Sequence, residues 1–276
     1  MPIMFARLLH KPSVLVVGGY DVAKIPEIGY GHQRGGLKKW VSRWTMRSAT
    51  QLLATSCFSS NEVTGNALIP KESVFTVYIG VPDFFETLPQ SPRSQLILTV
   101  GDVDRPNLQR KGHEPFVQTA ALMPDVDFVL VGAWKDETIQ YLRSIATPNI
   151  TFTGRIDDQR LLDYYRRASV YVQPSMHEGF GLSVAEAMLA GCIPVVSRFG
   201  SLPEVAGEHA VFVDQPSPEN LAQAIQTALN CPDENRALIR QHILTKFPMG
   251  QRAQRLGRLI DSLSNPLFGF TVNQRL

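Results

Sequence analysis

The chain has 276 residues and a net charge of +2, with 44% hydrophobic and 19% charged residues. These values are ordinary for a soluble globular protein, and so weak a charge does not by itself indicate nucleic acid binding. No stretch approaches the roughly 20 consecutive apolar residues that a membrane-spanning helix needs. The cysteines Cys57, Cys192 and Cys231 lack the spacing of a zinc site, and unpaired cysteines are typical of a reducing cytoplasm.

The first predicted element is an apolar segment, residues 13–19, that indicates a buried parallel strand ending in a glycine turn. Asp21 follows this strand directly, and His32 lies in the loop beyond it. Ligands of open α/β sheets bind at the carboxyl ends of the strands, which makes Asp21 and His32 candidates for contact with an acceptor substrate. The alternative for Asp21 is a role in capping the turn.

Residues 37–53 predict a helix, because large apolar side chains recur at helical spacing on one face. These side chains are Leu37, Trp40, Val41 and Trp44. We expect this face, with its two tryptophans, to lie in the core. The same region carries a cluster of basic residues without an acid, namely Arg34, Lys38, Lys39, Arg43 and Arg47. Such a cluster is either a solvated helix face, which we favour, or a contact for an anionic membrane surface or an acidic ligand.

Two further strands are predicted at residues 52–57 and 73–78, and a polar segment with two prolines, residues 88–94, predicts a linker. After the linker, strands and helices alternate regularly, which requires a parallel sheet covered on both faces. The predicted strands are residues 96–101, 126–132, 150–153, 170–172, 193–197 and 211–213. The predicted helices are residues 116–123, 137–144, 157–167, 183–190, 218–229 and 253–263.

The segment from His177 to Gly191 combines a glycine-rich turn, the start of a helix and two carboxylates, Glu178 and Glu186. The glycines of this turn lack side chains, so their backbone N–H groups can approach a ligand closely. Free N–H groups at a helix start favour phosphate, whereas carboxylates accept hydrogen bonds from hydroxyl groups. Phosphate donors beside hydroxyl acceptors indicate a nucleotide-sugar site.

Seven residues separate Glu178 from Glu186, with Gly-Phe-Gly-Leu between them, Glu-Ala-Met starting at Glu186 and Gly-Cys-Ile-Pro-Val-Val beyond. This pattern resembles the signature of the retaining, nucleotide-sugar-dependent glycosyltransferases of the GT-B type, the glycosyl transferases group 1 family. The resemblance implies an α/β fold with two Rossmann-like domains. It also implies transfer of a sugar from a nucleotide-diphosphate donor to a glycan, lipid or small-molecule acceptor, with retention at the anomeric carbon. A sugar-nucleotide epimerase, a further alternative, usually lacks this glutamate pair.

The resemblance implies a role for each residue of the site. Glu178 would lie near the transferred sugar, Glu186 would bind the ribose hydroxyls, and Lys111, in a Lys-Gly pair, would bind the diphosphate. Glu178 and Lys111 are the predicted catalytic residues. The other predicted donor contacts are Gly179, Phe180, Gly181, Leu182, Arg105, Arg110 and Arg155. No metal or other cofactor is expected.

One position departs from the family pattern. The family has an arginine just after the first strand of the donor-binding domain, and this chain has Asp102 there. We expect Arg105 or Arg110 to supply the second phosphate contact, because the loop of residues 102–109 is longer than usual. Arg155 follows another strand, near the expected base pocket, where an ordinary surface arginine is the alternative.

We predict three regions: residues 1–87, 95–250 and 251–276. The first is an incomplete acceptor-side Rossmann-like domain of about three strands, the second the donor-binding domain, and the third a C-terminal helix and tail. We therefore expect the chain to bind a nucleotide sugar but to transfer it poorly alone. It would then be a truncated donor-binding domain, or a partner chain would complete its first domain. The expected location is the cytoplasm, with peripheral contact to a membrane as the alternative.

Overall fold

The computed structural model describes residues 2–87 and 93–264, so most of the predicted linker at residues 88–94 lies outside the described residues. The chain divides into two compact units. The first contains the described parts of Met1–Gly80 and Phe247–Leu276, and the second is Val81–Lys246. Both units are built from parallel strands and helices, as the predicted α/β fold requires.

The first unit contains a three-stranded parallel sheet in the order β1-β2-β3. Its strands are β1 (Val14–Val17), β2 (Gln51–Ala54) and β3 (Val74–Thr76). Its helices before Gly80 are α1 (Pro2–Leu8), α2 (Gly36–Ser48) and α3 (Cys57–Gly65), with short 3-10 helices at Pro26–Ile28, His32–Arg34 and Lys71–Ser73.

The second unit contains a six-stranded sheet in the order β6-β5-β4-β7-β8-β9, with all neighbouring strands parallel. The strands are β4 (Ser94–Val100), β5 (Asp127–Val131), β6 (Ile150–Gly154), β7 (Ala168–Gln173), β8 (Ile193–Ser197) and β9 (Val211–Val213). The helices are α4 (Arg105–Arg110), α5 (His113–Leu122), α6 (Thr138–Ser144), α7 (Asp158–Arg167), α8 (Leu182–Leu189), α9 (Leu202–Ala206), α10 (Pro218–Leu229) and α11 (Glu234–Lys246), with a 3-10 helix at Gly207–His209.

The last helix, α12 (Met249–Ser264), belongs to the first unit. It contributes Leu256 and Leu259 to a small core on one side of that unit's sheet, with Leu53 and Val77. A larger core around β1 and β2 includes Met46 of α2. The three-stranded sheet thus has apolar packing from both α2 and α12.

The predicted alternation of six strands and helices in the second unit is confirmed, and so are two predicted helix starts. The carboxylate of Asp157 accepts a hydrogen bond from the Arg160 N–H at the start of α7. The Ser217 hydroxyl accepts one from the Asn220 N–H at the start of α10. Both are side-chain caps that satisfy N–H groups left without partners in the first turn.

Several predictions were wrong. The first strand is only partly buried, since Val16 is 53% exposed. The helix predicted for residues 37–53 ends at Ser48, and its Trp40 and Trp44 are 69% and 48% exposed rather than in the core. The predicted loop of residues 102–109 contains α4, because the Asp104 carboxylate caps its first turn and Pro106 fits there.

Candidate functional site

The candidate site lies where the strand order of the second unit reverses. The chain runs from β4 to β5 and β6 on one side of the sheet, and then from β7 to β8 and β9 on the other. β4 and β7 are therefore neighbours, and the connections that follow them lead to opposite edges of the sheet. Ligands of open α/β sheets bind beside the carboxyl ends of such a pair of strands. Lys111 lies in the connection after β4, and Glu178 in the loop after β7.

Four side chains converge on Oε1 of Glu178. Lys111 Nζ donates at 3.2 Å and Gln173 Nε2 at 3.0 Å, and the Ser175 hydroxyl donates at 3.2 Å. Arg110 NH1 lies 3.5 Å from the same oxygen. Glu178 and its two cationic partners are each only 12–15% exposed at the side chain, so these ion pairs are shielded from solvent.

The charge state of Glu178 results from two opposing effects. Burial raises the pKa of its carboxyl group, while Lys111 and Arg110 lower it, and the net result is a pKa below the ordinary value. Glu178 is therefore ionised at neutral pH. The cluster holds two positive charges and one negative charge, so it favours an additional anion.

The backbone of Glu178 is fixed by the loop between β8 and α9. The Ser201 backbone N–H and hydroxyl both donate to the Glu178 carbonyl at 3.0 Å. Gly200 has a φ of +68°, and a Cβ there would lie 2.6 Å from the Glu178 nitrogen. A residue with a side chain would be excluded at this position, because it would collide with the backbone that carries the carboxylate.

A second close approach brings Lys111 to this loop. Gly112 has a φ of +68°, and a Cβ at this position would lie 2.7 Å from Pro174 Cγ. The Met176 N–H donates to the Arg110 carbonyl at 2.7 Å, which joins the two segments directly. Arg110 NH1 also donates to the His177 carbonyl at 3.1 Å. The Lys-Gly pair is thus the point at which the connection after β4 packs on the loop after β7.

His113 is a residue of this region that the sequence analysis did not single out. Its ring is buried beside Lys111, and Nε2 lies 3.1 Å from the Asp102 carbonyl oxygen. Nδ1 is buried without a hydrogen-bond partner among the described residues. Burial, together with the positive charge of Lys111, lowers the pKa of His113 to about 4. The imidazole is therefore neutral, and it supports the segment that carries Lys111.

Glu186 lies on α8, eight residues beyond Glu178. Its Oε2 accepts a hydrogen bond from the buried Tyr165 hydroxyl at 3.0 Å. Burial raises the pKa of Glu186, and the Tyr165 hydrogen bond opposes that effect. The signal for Tyr165 was its place on the predicted helix of residues 157–167, which did not identify it as a site residue.

The start of α8 has the features predicted for a phosphate or sugar contact. Gly181 has a φ of +87° and precedes the first residue, Leu182, and no side chain caps this helix end. Phe180 is buried, whereas Leu182 is 40% exposed. Gly179 is partly exposed between Glu178 and Phe180. The turn therefore leads into a helix start whose N–H groups have no side-chain cap.

The arginine candidates are not equivalent. Arg110 contacts Glu178, whereas Arg105 is exposed at the start of α4 and uses its backbone N–H to bond Asp136. The Asp102 carboxylate pairs with Lys135 at 3.4 Å and does not join the cluster. Arg155 is exposed after β6, so the structure does not bring it into the Glu178 cluster.

The two acceptor-side candidates lie in the first unit. The Asp21 carboxylate accepts a hydrogen bond from the Gly19 N–H at 3.1 Å, which is the turn-capping alternative. The His32 ring packs edge-on against Tyr20, at 4.8 Å between ring centroids. Neither residue belongs to the cluster around Glu178, which is formed within the second unit.

Within residues 2–87 and 93–264, no three side chains of His, Cys, Asp or Glu lie together in a way that could bind a metal ion. Every helix there is too short or too polar to cross a lipid bilayer.

The model of the glycosyl transferases group 1 family matches residues 84–243, more than half of the chain. Among curated relatives, the O-antigen chain mannosyltransferase B of Escherichia coli is 28% identical over 190 residues, covering 62% of this chain and 49% of the relative. The MMP alpha-(1->4)-mannosyltransferase of Mycolicibacterium hassiacum is 26% identical over 238 residues, covering 79% and 57%. The chain thus spans about half the length of these two relatives.

Solved structures show the same fold. Anabaena Alr3699/HepE, in complex with UDP and glucose, matches with a TM-score of 0.79 at 17% identity, covering 95% of this chain and 74% of that one. Sucrose-phosphate synthase from Thermosynechococcus elongatus matches with a TM-score of 0.74 at 23% identity, covering 91% and 67%. The predicted α/β fold of the GT-B type, with few strands in the first unit, is therefore confirmed.

Proposed function

Because the chain belongs to the glycosyl transferases group 1 family, we propose that it binds a nucleotide-diphosphate sugar and transfers the sugar to an acceptor. The observation that carries this proposal is the pairing of Lys111 and Arg110 with one largely buried carboxylate at the reversal of strand order. The family assignment and the complex of Anabaena Alr3699/HepE with UDP and glucose both support a nucleotide sugar as the donor.

Lys111 and Arg110 are the proposed diphosphate ligands. A lysine ammonium has three donors and a guanidinium five, so each can contact Glu178 and a phosphate oxygen together. Negative charge accumulates on the leaving diphosphate as the glycosidic bond breaks, and two fixed cations stabilise that charge. Of the two arginines that could replace the family's arginine, Arg110 is the one we assign, because it contacts Glu178 and Arg105 does not.

Glu178 and Glu186 have different proposed roles. The ionised Glu178 faces the transferred sugar, where it accepts a hydrogen bond from a hydroxyl or stabilises oxocarbenium-like charge at the anomeric carbon. Glu186 accepts from the ribose hydroxyls through the carboxylate oxygen that Tyr165 does not use. The turn at Gly179, Phe180 and Gly181 and the start of α8 at Leu182 present backbone N–H groups to sugar and phosphate. Arg155 remains a proposed base contact.

We propose that the transferred group is mannosyl or a related hexosyl, and that the reaction retains the anomeric configuration. Both curated relatives described above are named as mannosyltransferases, which supports the first statement. The motif resemblance supports the second. Transfer without a metal ion and a cytoplasmic location also stay predictions, and the first is tested by assaying transfer with and without a chelator.

Titration calorimetry of the 276-residue chain is the first test of this function. UDP, GDP and ADP, and separately their nucleosides, are each titrated into the protein. At least one diphosphate should bind more tightly than its nucleoside. The preferred nucleotide then selects radiolabelled donors, including the mannosyl and glucosyl forms, for assays with sugar and lipid acceptors. NMR of the product determines the anomeric configuration. Failure of all three diphosphates to bind would contradict the proposal.

A second candidate function is donor binding without transfer by this chain alone. It is favoured by the three-stranded sheet of the first unit, which the sequence analysis identified as incomplete on the acceptor side. In this case the chain binds the nucleotide sugar, and a partner chain supplies the remaining acceptor contacts. Measuring the mass of the chain in solution beside its transfer rate separates the two functions, since efficient transfer by a monomer would exclude the second.

A further inference from the structure

Helix α2 of the first unit exposes an apolar face to solvent. Leu37, Trp40, Val41 and Trp44 recur every three or four residues and therefore lie along one side of the helix. Their exposed fractions are 77%, 69%, 53% and 48%. Isolated exposed apolar residues are common, but a continuous row that includes two tryptophans marks an interaction surface.

The opposite side of α2 is the side that packs on the unit. Met46 is buried in the core, and Ser42 donates to the Asp21 carbonyl at 3.0 Å. Arg43 donates to Gln33 Oε1 at 3.0 Å and to the Asn66 carbonyl at 2.6 Å. These contacts anchor the helix without using its apolar row. Packing among the described residues of this unit therefore leaves that row uncovered.

Cations border the apolar row, and acids are absent from this part of the sequence. Lys38, Arg34 and Arg47 are exposed, and none of the three forms an ion pair with another described residue. No Asp or Glu occurs from Ile28 to Asn61. A surface with tryptophan and leucine at its centre and exposed cations along its edges is complementary to a layer that is apolar inside and anionic outside.

Two neighbouring features have the same chemical character. Helix α1 packs beside α2, with Arg7 NH1 donating to the Ser48 hydroxyl at 3.4 Å. α1 exposes further apolar side chains, Phe5, Leu8 and, just after its end, Leu9. A cavity of about 220 Å³ beside the start of α2 is lined by Gly31, His32, Arg34, Gly35 and Lys38. This cavity combines two cations with glycine backbone, which suits the phosphate of a lipid headgroup.

We propose that α2 binds this chain to the surface of an anionic phospholipid bilayer, lying in the plane of the interface. The apolar row enters the boundary between headgroups and acyl chains, where tryptophan is favoured, and the flanking cations contact headgroup phosphates. A symmetric contact with a second copy fits less well. It would place the same cationic face against itself, and like charges would repel.

Vesicle co-sedimentation of the whole chain tests this proposal. Vesicles of phosphatidylcholine with phosphatidylglycerol should bind the protein, pure phosphatidylcholine vesicles should bind it much less, and added salt should weaken the binding. The chain has three tryptophans, so Trp134→Phe leaves Trp40 and Trp44 as the only indole reporters. Their fluorescence should shift to shorter wavelength when anionic vesicles are added.

Substitutions in α2 should separate the two parts of the surface. Trp40→Ala with Trp44→Ala should lower the vesicle partition coefficient by at least about tenfold. Lys38→Gln and Arg47→Gln should each lower it by about fivefold. The controls are Leu238→Ala, an equally exposed leucine of the second unit, and Lys71→Gln, an exposed lysine of the first, and neither should change binding.

Two results would overturn the proposal. One is failure of the chain to bind anionic vesicles. If the chain instead forms a dimer, and the double variant Trp40→Ala with Trp44→Ala dissociates that dimer, then a second copy covers the apolar row. The other is vesicle binding that the double tryptophan variant retains in full. Circular dichroism of each variant ensures that a loss of binding is not a loss of folding.

Discussion

The two units use apolar helix faces in opposite ways. In the second unit, α10 directs Leu221, Ile225 and Ala228 into the core, and all three are buried. In the first unit, α2 has the same spacing of apolar residues, yet Trp40 is 69% exposed. Helical periodicity therefore shows that a face is apolar, but it does not show whether protein or another apolar phase covers that face.

Individual glycines also differ in how tightly their backbone is packed. The second unit surrounds its polar cluster with glycines in left-handed conformation that touch neighbouring backbone, at Gly112 and Gly200. In the first unit, a Cβ at Gly65 in α3 would meet nothing within 4 Å. We infer that a side chain added at Gly112 or Gly200 lowers the free energy of unfolding, whereas one added at Gly65 does not.

The largest expected effect tests this difference in packing. Gly112→Ala should destabilise the chain by about 2–5 kcal/mol, because alanine is strained at positive φ and its Cβ would collide with Pro174. Gly65→Ala, the matched control within a helix, should be neutral or stabilising by up to about 1 kcal/mol. Denaturant unfolding of both variants measures the two values. Equal stability of the two variants would contradict the packing that brings Lys111 to Glu178.

Much of the fold of the second unit could be predicted from sequence, because each of its elements has its own local pattern. The β8 and β9 bounds match the predicted residues 193–197 and 211–213. The short helix α4 could not be predicted from periodicity, since it is six residues long and depends on the Asp104 cap. The exposure of Trp40 could not be predicted either, because it depends on which side of α2 the tertiary contacts of Ser42 and Arg43 fix.

The site was predictable as motifs but not as a network. Glu178 and Lys111 were singled out by resemblance, and their 3.2 Å contact follows from the packing of Gly112 on Pro174. Gln173 directly follows the predicted strand of residues 170–172 and was not singled out, although its amide donates to Glu178. Its partners lie within ten residues along the chain, so the contact is local, but it depends on how the loop after β7 folds back towards the end of that strand.

The next effect concerns acid sensitivity, which we expect to originate in the second unit at His113. Its folded pKa of about 4 lies below the ordinary value of 6.5, so as pH falls the unfolded chain gains a proton that the folded chain does not. This group's contribution to stability is complete above pH 6.5 and should decrease by about 3 kcal/mol towards pH 4. His113→Gln should flatten that part of the profile.

Measurement of the free energy of unfolding at a series of pH values compares the two chains. Glu178 adds a separate contribution in the same direction, because its folded pKa is lowered and its stabilisation is lost as pH falls through that value. The difference in the free energy of unfolding between the unsubstituted chain and His113→Gln, taken at each pH, gives the contribution of the histidine alone. Parallel profiles over this range would show that His113 is not the titrating group, and His113→Asn serves if the glutamine variant does not fold.

A smaller effect is expected for ligand binding at Lys111. Lys111→Ala should weaken binding of the preferred nucleoside diphosphate by about 2–3 kcal/mol, the scale of a lost hydrogen bond between charged groups. Binding of the free nucleoside should change much less, because the ammonium group contacts phosphate. Lys135→Ala is the control, since Lys135 pairs with Asp102 outside the Glu178 cluster. Calorimetry that gives equal losses for nucleotide and nucleoside would remove Lys111 from the phosphate site.

The smallest effect is expected at Glu186. Glu186→Ala should weaken nucleotide-sugar binding by about 1–2 kcal/mol, the lower part of the range for a hydrogen bond to a charged group. The loss is limited because the Tyr165 hydroxyl already occupies Oε2, which leaves one oxygen of the carboxylate for ribose. Glu137→Ala, at the start of α6 and without a side-chain capping bond, should leave binding unchanged. The unsubstituted chain should bind a 2′-deoxy nucleotide more weakly than the corresponding ribonucleotide. The Glu186→Ala variant should bind the two nucleotides equally well. Equal discrimination against the deoxy nucleotide by both proteins would show that Glu186 does not contact this hydroxyl.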